Sequence, residues 1–238
     1  MDLYLYSDTL HRLVNGIIPY EKGLFLFING HHNLFFDQFM SLYSGKIIWL
    51  PLAIAAFCIH TIKIKKMEIL LIIAAITFVF LLCDQLSAAF IKPLCQRLRP
   101  THYPQIGDLV HVVNNYRGGR YGFISAHSAN GFGIATFSSL LFRYKIYTFV
   151  IFLWASLTAY SRIYLGVHFI SDVVGGIMLG VFIGWLVYFL YIKTRSRVFN
   201  LSLVEAKVSA FSAERAQILI YTIGTTVLFI AIRSFFIM

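Results

Sequence analysis

Residues 161–172 read Ser-Arg-Ile-Tyr-Leu-Gly-Val-His-Phe-Ile-Ser-Asp and lie between two long apolar stretches. Ionisable side chains are costly at membrane depth, so Arg162, His168 and Asp172 together mark a functional site. His168 and Asp172 are four residues apart, which on a helix puts them on one face, one turn from each other. The carboxylate can then accept a hydrogen bond from one imidazole N–H and leave the other nitrogen free to attack, as in an activated nucleophile. Upstream, Lys92, Arg99 and Pro100 form Lys-x6-Arg-Pro, and Ser125-Ala126-His127 opens a run rich in small residues. Taken singly, Lys92 reads as a snorkelling lysine, Arg99 as a loop charge and each histidine as one satisfied by a neighbour. Together, in this order, they read as chemistry.

Such residues need elements to hold them, and composition says what kind. The chain is 59% hydrophobic and 13% charged, where a soluble domain is about a quarter charged. This excludes an ordinary soluble enzyme. Membrane spans of ~20 apolar residues fall at 47–63, 68–90, 127–142, 146–164, 169–192 and 216–237. The third is short, and Asn130 with its two neighbouring glycines predicts close packing against other helices. Two apolar-aromatic stretches, 23–30 and 34–42, are too short to span and are expected as amphipathic interfacial helices. The expected fold is therefore all-α: a polytopic membrane bundle of five to six transmembrane helices with amphipathic N-terminal helices. Its parts are N-terminal interfacial helices at 1–46, a catalytic bundle at 47–192, a cytoplasmic loop at 193–215 and a last span at 216–238. The last span is open between an oligomer contact and a further bundle helix.

The net charge of +10 sits on no soluble basic module, so no nucleic-acid partner is expected. Lys63, Lys65, Lys66, Arg143, Lys145, Lys193, Arg195, Arg197, Lys207 and Arg215 are assigned to cytoplasmic loops by the positive-inside rule. The motifs then face the other side. The first twenty residues lack a basic cluster before an apolar core and do not read as a cleaved signal peptide. The long 92–124 connection joins two parts of the site, as binding loops do. Arg97, Arg117 and Arg120 are open between a headgroup and the membrane surface. Asp84 is expected to have a structural partner. His31, His32, His102 and His111 are expected to be solvated. Three scattered cysteines make neither a disulfide framework nor a zinc site, and no cluster shows metal-ligand spacing.

The three strings resemble the pattern of the type 2 phosphatidic acid phosphatase (PAP2) superfamily: Lys-x6-Arg-Pro, Pro-Ser-Gly-His and Ser-Arg-x5-His-x3-Asp. The first and third match at every defined position; in the second, Ile124 replaces the Pro and Ala126 the Gly. The resemblance implies a role for each residue. His168 attacks phosphorus and forms a phosphohistidine, Asp172 orients it, and His127 protonates the departing oxygen. Lys92, Arg99, Ser125, the backbone at Ala126 and Arg162 hold the phosphoryl oxygens, and the chemistry needs no metal or other cofactor. It also implies the substrate: a phosphate or pyrophosphate monoester on a membrane lipid, such as undecaprenyl pyrophosphate, phosphatidylglycerol phosphate, phosphatidic acid or lipid A. The expected location is a bacterial inner membrane, with the site on the extracytoplasmic side. The alternative is a lipid-binding or transport protein that uses the same cationic site without chemistry. A haloperoxidase fits less well, because the soluble relatives are not built from continuous apolar spans.

Overall fold

The computed structural model describes the backbone of residues 2–61, 64–209 and 211–237, and the side chains of residues 8–59, 64–209 and 211–237. Lys63, one of the basic residues assigned to a cytoplasmic loop, lies outside the described residues. The chain opens with three helices, α1 (Asp2–Gly16), α2 (Ile18–Gly30) and α3 (Leu34–Tyr43). In α2 the buried positions are Ile18, Glu21, Phe25 and Asn29, a helical stripe in which two members are polar. After a bend of 67° a short 3₁₀ turn leads into α4 (Leu50–Thr61). At twelve residues α4 is about 18 Å long, too short to cross alone. The 47–63 stretch therefore does not run as one straight span, and it reaches crossing length only as a bent pair with α3.

Four described helices are long and apolar enough to cross a membrane, or five with the bent pair. The first joins α5 (Lys66–Gln85), a π-helical turn (Leu86–Ile91) and α6 (Lys92–Cys95) into thirty residues. The others are α8 (Lys145–Tyr164), α9 (Ile170–Phe199) and, beyond the single turn α10 (Leu203–Ala206), α11 (Ala213–Phe236). Between them α7 (Ala126–Phe142) has 17 residues, at the lower limit for a span. It lies at the centre, packed on α9, α8 and α5.

The α7–α9 contact is the most extensive in the molecule, and glycines make it possible. A Cβ added at Gly176, Gly180 or Gly184 would stand 2.4, 2.3 or 2.4 Å from the carbonyl oxygens of Ser125, Ala129 and Gly133. Spaced by four, these glycines form one groove along α9 into which the α7 backbone sinks. On α7 itself, Gly131 packs on Ala155 and Gly133 on Val79, Cys83 and Gly180.

α11 packs on α3, α4 and α8 through Ala216, Leu219, Ile223 and Ile230, and so belongs to the bundle. α9 does not stop at 192 but continues to Phe199. Its added turns are held by Arg195, which bonds Glu68 at the start of α5 (3.1 Å) and the carbonyls of Ala206 and Val208. Arg143 likewise reaches the Lys207 carbonyl (2.9 Å). The basic connections thus gather at one end of the bundle, opposite the 92–124 segment.

Candidate active site

Five chain segments converge at the other end of α7 and α9. The first follows α6, whose final turn carries Lys92. Gln96 adopts a left-handed conformation, ends the helix and sends residues 97–99 out extended. Leu98 pairs antiparallel with Tyr121; the Arg99 amide donates to the Arg120 carbonyl (3.1 Å) and the Gly122 amide to the Arg97 carbonyl (2.8 Å). Residues two apart on an extended segment share a face, so Arg97 and Arg99 both turn inward and are buried. The connection expected to be long and irregular is pinned across its two ends, with 3₁₀ turns at Pro100–His102 and Val113–Asn115.

The second segment is the turn after α8. Gly166 has φ +74°, which only glycine adopts at little cost. The amides of Val167 and His168 both donate to the Arg162 carbonyl (3.2 Å each), which closes the turn and brings His168 back over the end of α8. His168 therefore precedes α9 rather than riding on it. Asp172, in the first turn of α9, meets it as a helix-start carboxylate. Its Oδ2 accepts the Phe169 amide (2.9 Å) and stands 3.4 Å from His168 Nδ1.

On the other side of the imidazole, Arg99 Nη1 lies 3.2 Å from His168 Nε2 and 3.1 Å from the Val167 carbonyl. A guanidinium only donates, so Nε2 is the acceptor and the neutral ring carries its proton on Nδ1, towards Asp172. Burial first, then the charges of Arg99, Arg162 and Lys92, hold His168 well below its ordinary value of 6.5. At neutral pH the ring is uncharged, with its lone pair at Nε2 among three cations. That is the state a nucleophile needs.

The third segment is the start of α7. The Ser125 amide donates to the Asp172 carbonyl (2.9 Å), tying the starts of α7 and α9 together. Ser125 Oγ accepts from the amide (3.4 Å) and hydroxyl (3.0 Å) of Ser128, which leaves its own proton to donate. Ala126 and His127 line a cleft of roughly 580 Å³, with Ser44, Lys46 and Asp84 at its polar part and Trp49, Phe80 and Trp154 on its apolar walls. His127 lies within electrostatic reach of Arg162, His168, Lys46 and Arg99. The fourth and fifth segments are the end of α3 at Ser44 and the loop at Tyr116, whose side-chain oxygens accept bonds from the Arg162 guanidinium, the latter at 3.5 Å. Lys92, Arg99, Ser125, Ala126, His127, Arg162, His168 and Asp172 all stand at this one end.

A family model described as the PAP2 superfamily matches residues 66–196, more than half of the chain. This chain belongs to the PAP2 superfamily. It is 44% identical over 181 residues to a lipid A 4'-phosphatase of Porphyromonas gingivalis, covering 76% of this chain and 77% of that one. It is 39% identical over 211 residues to a lipid A 4'-phosphatase of Bacteroides thetaiotaomicron, covering 88% and 93%. Among solved structures, Aquifex aeolicus LpxE superposes with a TM-score of 0.53 at 27% identity, over 71% of this chain and 94% of that one. Like those curated relatives, the chain is a membrane lipid phosphatase of the PAP2 type.

The fold of this PAP2 protein also brings in residues that the motifs do not name. Arg97 is fully buried; it pairs with Glu21 of α2, bonds Ser171 and stands 3.1 Å from Asp172 Oδ1. Glu21 in turn accepts from the amide and hydroxyl of Ser171 (2.7 Å each). Arg97 thus touches neither solvent nor the membrane surface but backs the orienting carboxylate, and an N-terminal helix supplies its counter-charge. The sequence held one signal for this, the Arg-x-Arg spacing on an extended segment. Nothing in it pointed to Glu21. Arg117 and Arg120 remain exposed. Asp84 is on the cleft wall, in the field of Lys92.

Proposed function

We propose that this PAP2 enzyme removes a phosphate monoester from a lipid A-type glycolipid, on the extracytoplasmic side of a bacterial inner membrane, through a phosphohistidine. The supporting observation is the His168 imidazole, with Nδ1 towards Asp172 and Nε2 towards Arg99, within electrostatic reach of His127, which lines a cleft that is apolar along its walls. The two lipid A 4'-phosphatase relatives support the choice of headgroup among lipid phosphates.

In this reading the substrate phosphate draws Arg99 from Nε2 to its own oxygens and uncovers the lone pair. His168 Nε2 then forms a bond to phosphorus as the bond to the sugar oxygen breaks, and His127 gives that oxygen a proton. Asp172 stabilises the imidazolium that develops at His168. Water next attacks the phosphohistidine while His127 takes its proton; the P–N bond breaks and inorganic phosphate leaves. Lys92, Arg99 and Arg162 hold the equatorial oxygens, where a guanidinium fork matches phosphate geometry. The Ser125 hydroxyl and the amides at the start of α7 add neutral donors. Three side-chain cations supply the charge that a metal supplies elsewhere, so the chemical step draws on none.

The test is phosphate release by detergent-purified protein from lipid A, phosphatidylglycerol phosphate, phosphatidic acid and undecaprenyl pyrophosphate, wild type beside His168→Ala. Release from lipid A above the others, absent in the variant, is expected. Folded protein that binds lipid A but releases nothing from any lipid means a binding protein instead. The same assay across pH gives a second readout, because kcat/KM reports free-enzyme groups. With His168 depressed, its acid limb falls below 6.5; a nucleophile limb above that value overturns the role given to His168.

A further inference from the structure

A second cluster of potential ligands lies outside the phosphate site, on the same side of the bundle. His32 is in the α2–α3 connection, Asp37 in the first turn of α3, and His111 in the 103–113 loop. Each offers one ligand atom, and these atoms lie within 4.8 Å of one another. Spacing in the chain gives no hint of it, since His111 is distant in sequence from the other two. His111 Nε2 is already 3.0 Å from Asp37 Oδ2, close to the ~3.3 Å between two ligands of one tetrahedral ion with bonds near 2 Å. His32 is exposed, and its ring stacks on that of His111 with centroids 3.5 Å apart.

The surroundings hold the other two ligands in place. Tyr164 donates its hydroxyl to Asp37 Oδ1 (2.8 Å), which fixes the carboxylate and leaves Oδ2 towards His111. Buried Asn29 accepts the His111 amide (2.8 Å) and donates to the carbonyls of His111 (3.0 Å) and Tyr164 (2.8 Å). Outer partners that fix a ligand's orientation are the usual companions of a metal site. Two imidazoles and one carboxylate suit zinc, and disfavour magnesium and calcium, which ask for oxygen ligands.

We propose that His32, Asp37 and His111 bind a zinc ion that fastens the N-terminal helices to the 103–113 loop and the end of α8. The ion takes no part in phosphoryl transfer. It ties down the segments around Arg162, which lies in the last turn of α8 and is held by Ser44 just beyond α3.

The test uses full-length protein in detergent, free of any polyhistidine tag. Zinc content is measured after dialysis against a micromolar zinc buffer, and visible absorption after loading with Co2+. Expected are one zinc per chain, a tetrahedral Co2+ spectrum and a higher unfolding temperature with zinc than after chelation. His32→Ala removes an exposed ligand and little else, so it is expected to fold and to lose both metal signals. Tyr164→Phe keeps all three ligands and is expected to weaken zinc about 10- to 100-fold. His168→Ala is expected to bind zinc like wild type, which separates this site from the catalytic one. A wild type without zinc, or a His32→Ala variant that binds it unchanged, overturns the proposal and leaves a His111–Asp37 pair with a stacked imidazole.

Discussion

Arg97 has no exposed surface, and the carboxylates of Glu21 and Asp172 both face it. Removing one partner from such a group leaves an uncompensated buried charge, which costs about 3–5 kcal/mol. Arg97→Met is therefore expected to lower the unfolding temperature and to slow turnover, because Asp172 loses the charge behind it. Changing Glu21 as well removes a second stranded charge, so the double variant with Glu21→Met is expected to regain stability. It is not expected to regain kcat, and KM should stay near wild type, since Lys92, Arg99 and Arg162 are untouched. Unfolding curves and steady-state kinetics on the three proteins decide it. A double variant that recovers kcat together with stability would show that Arg97 serves the fold alone. At this scale the sequence was legible where a motif names the residue, as for His168 and Asp172. It was not legible where partners come from far along the chain: Glu21, Ser44 and Tyr116 carry no local sign of what they touch.

The close approach of α7 and α9 places Ser125 against Asp172, so the glycine groove is part of the site's geometry. Gly180→Ala would put a methyl group 2.3 Å from the Ala129 carbonyl oxygen, and backbone cannot step aside as a flexible side chain can. Overpacking of this kind costs about 1–3 kcal/mol, and the helices must part to relieve it. A lower unfolding temperature and reduced kcat are expected. Gly224→Ala is the control, because no atom lies within 4 Å of the added carbon; it is expected to be neutral or to stabilise α11 by about 0.5–1 kcal/mol. Equal losses in the two variants would mean that helix propensity, and not close packing, sets the effect. The close packing of the third span was readable from Asn130 and its neighbouring glycines, and the apolar stretches 68–90, 146–164, 169–192 and 216–237 from hydropathy, because lipid exposure leaves a local record. The facing glycine groove on α9 was not read. The bend between α3 and α4 was not, since both arms are apolar. Nor was the continuation of α9 to Phe199, which depends on Arg195 meeting Glu68 from another helix.

Across the whole molecule the two ends of the bundle differ in what they do with charge. At one end basic side chains hold connections together: Arg143 on Lys207, Arg195 on Glu68 and residues 206 and 208, Arg215 on the Ile59 carbonyl. At the other end Lys92, Arg99 and Arg162 converge on His168. The positive-inside rule counts the first set, so that end is expected in the cytoplasm and the phosphate site outside. The test is labelling by a membrane-impermeant maleimide in a variant with Cys58, Cys83 and Cys95 replaced by Ser. Asp108→Cys reports the exposed loop beside the site, and Val204→Cys reports the exposed turn at the basic end. In cells with a permeabilised outer membrane, the cysteine at 108 is expected to react at once and that at 204 only after lysis. The reverse pattern would place the site in the cytoplasm, and the enzyme would then act on lipid before its export. That outcome leaves the chemistry at His168 intact and changes only which leaflet supplies the substrate.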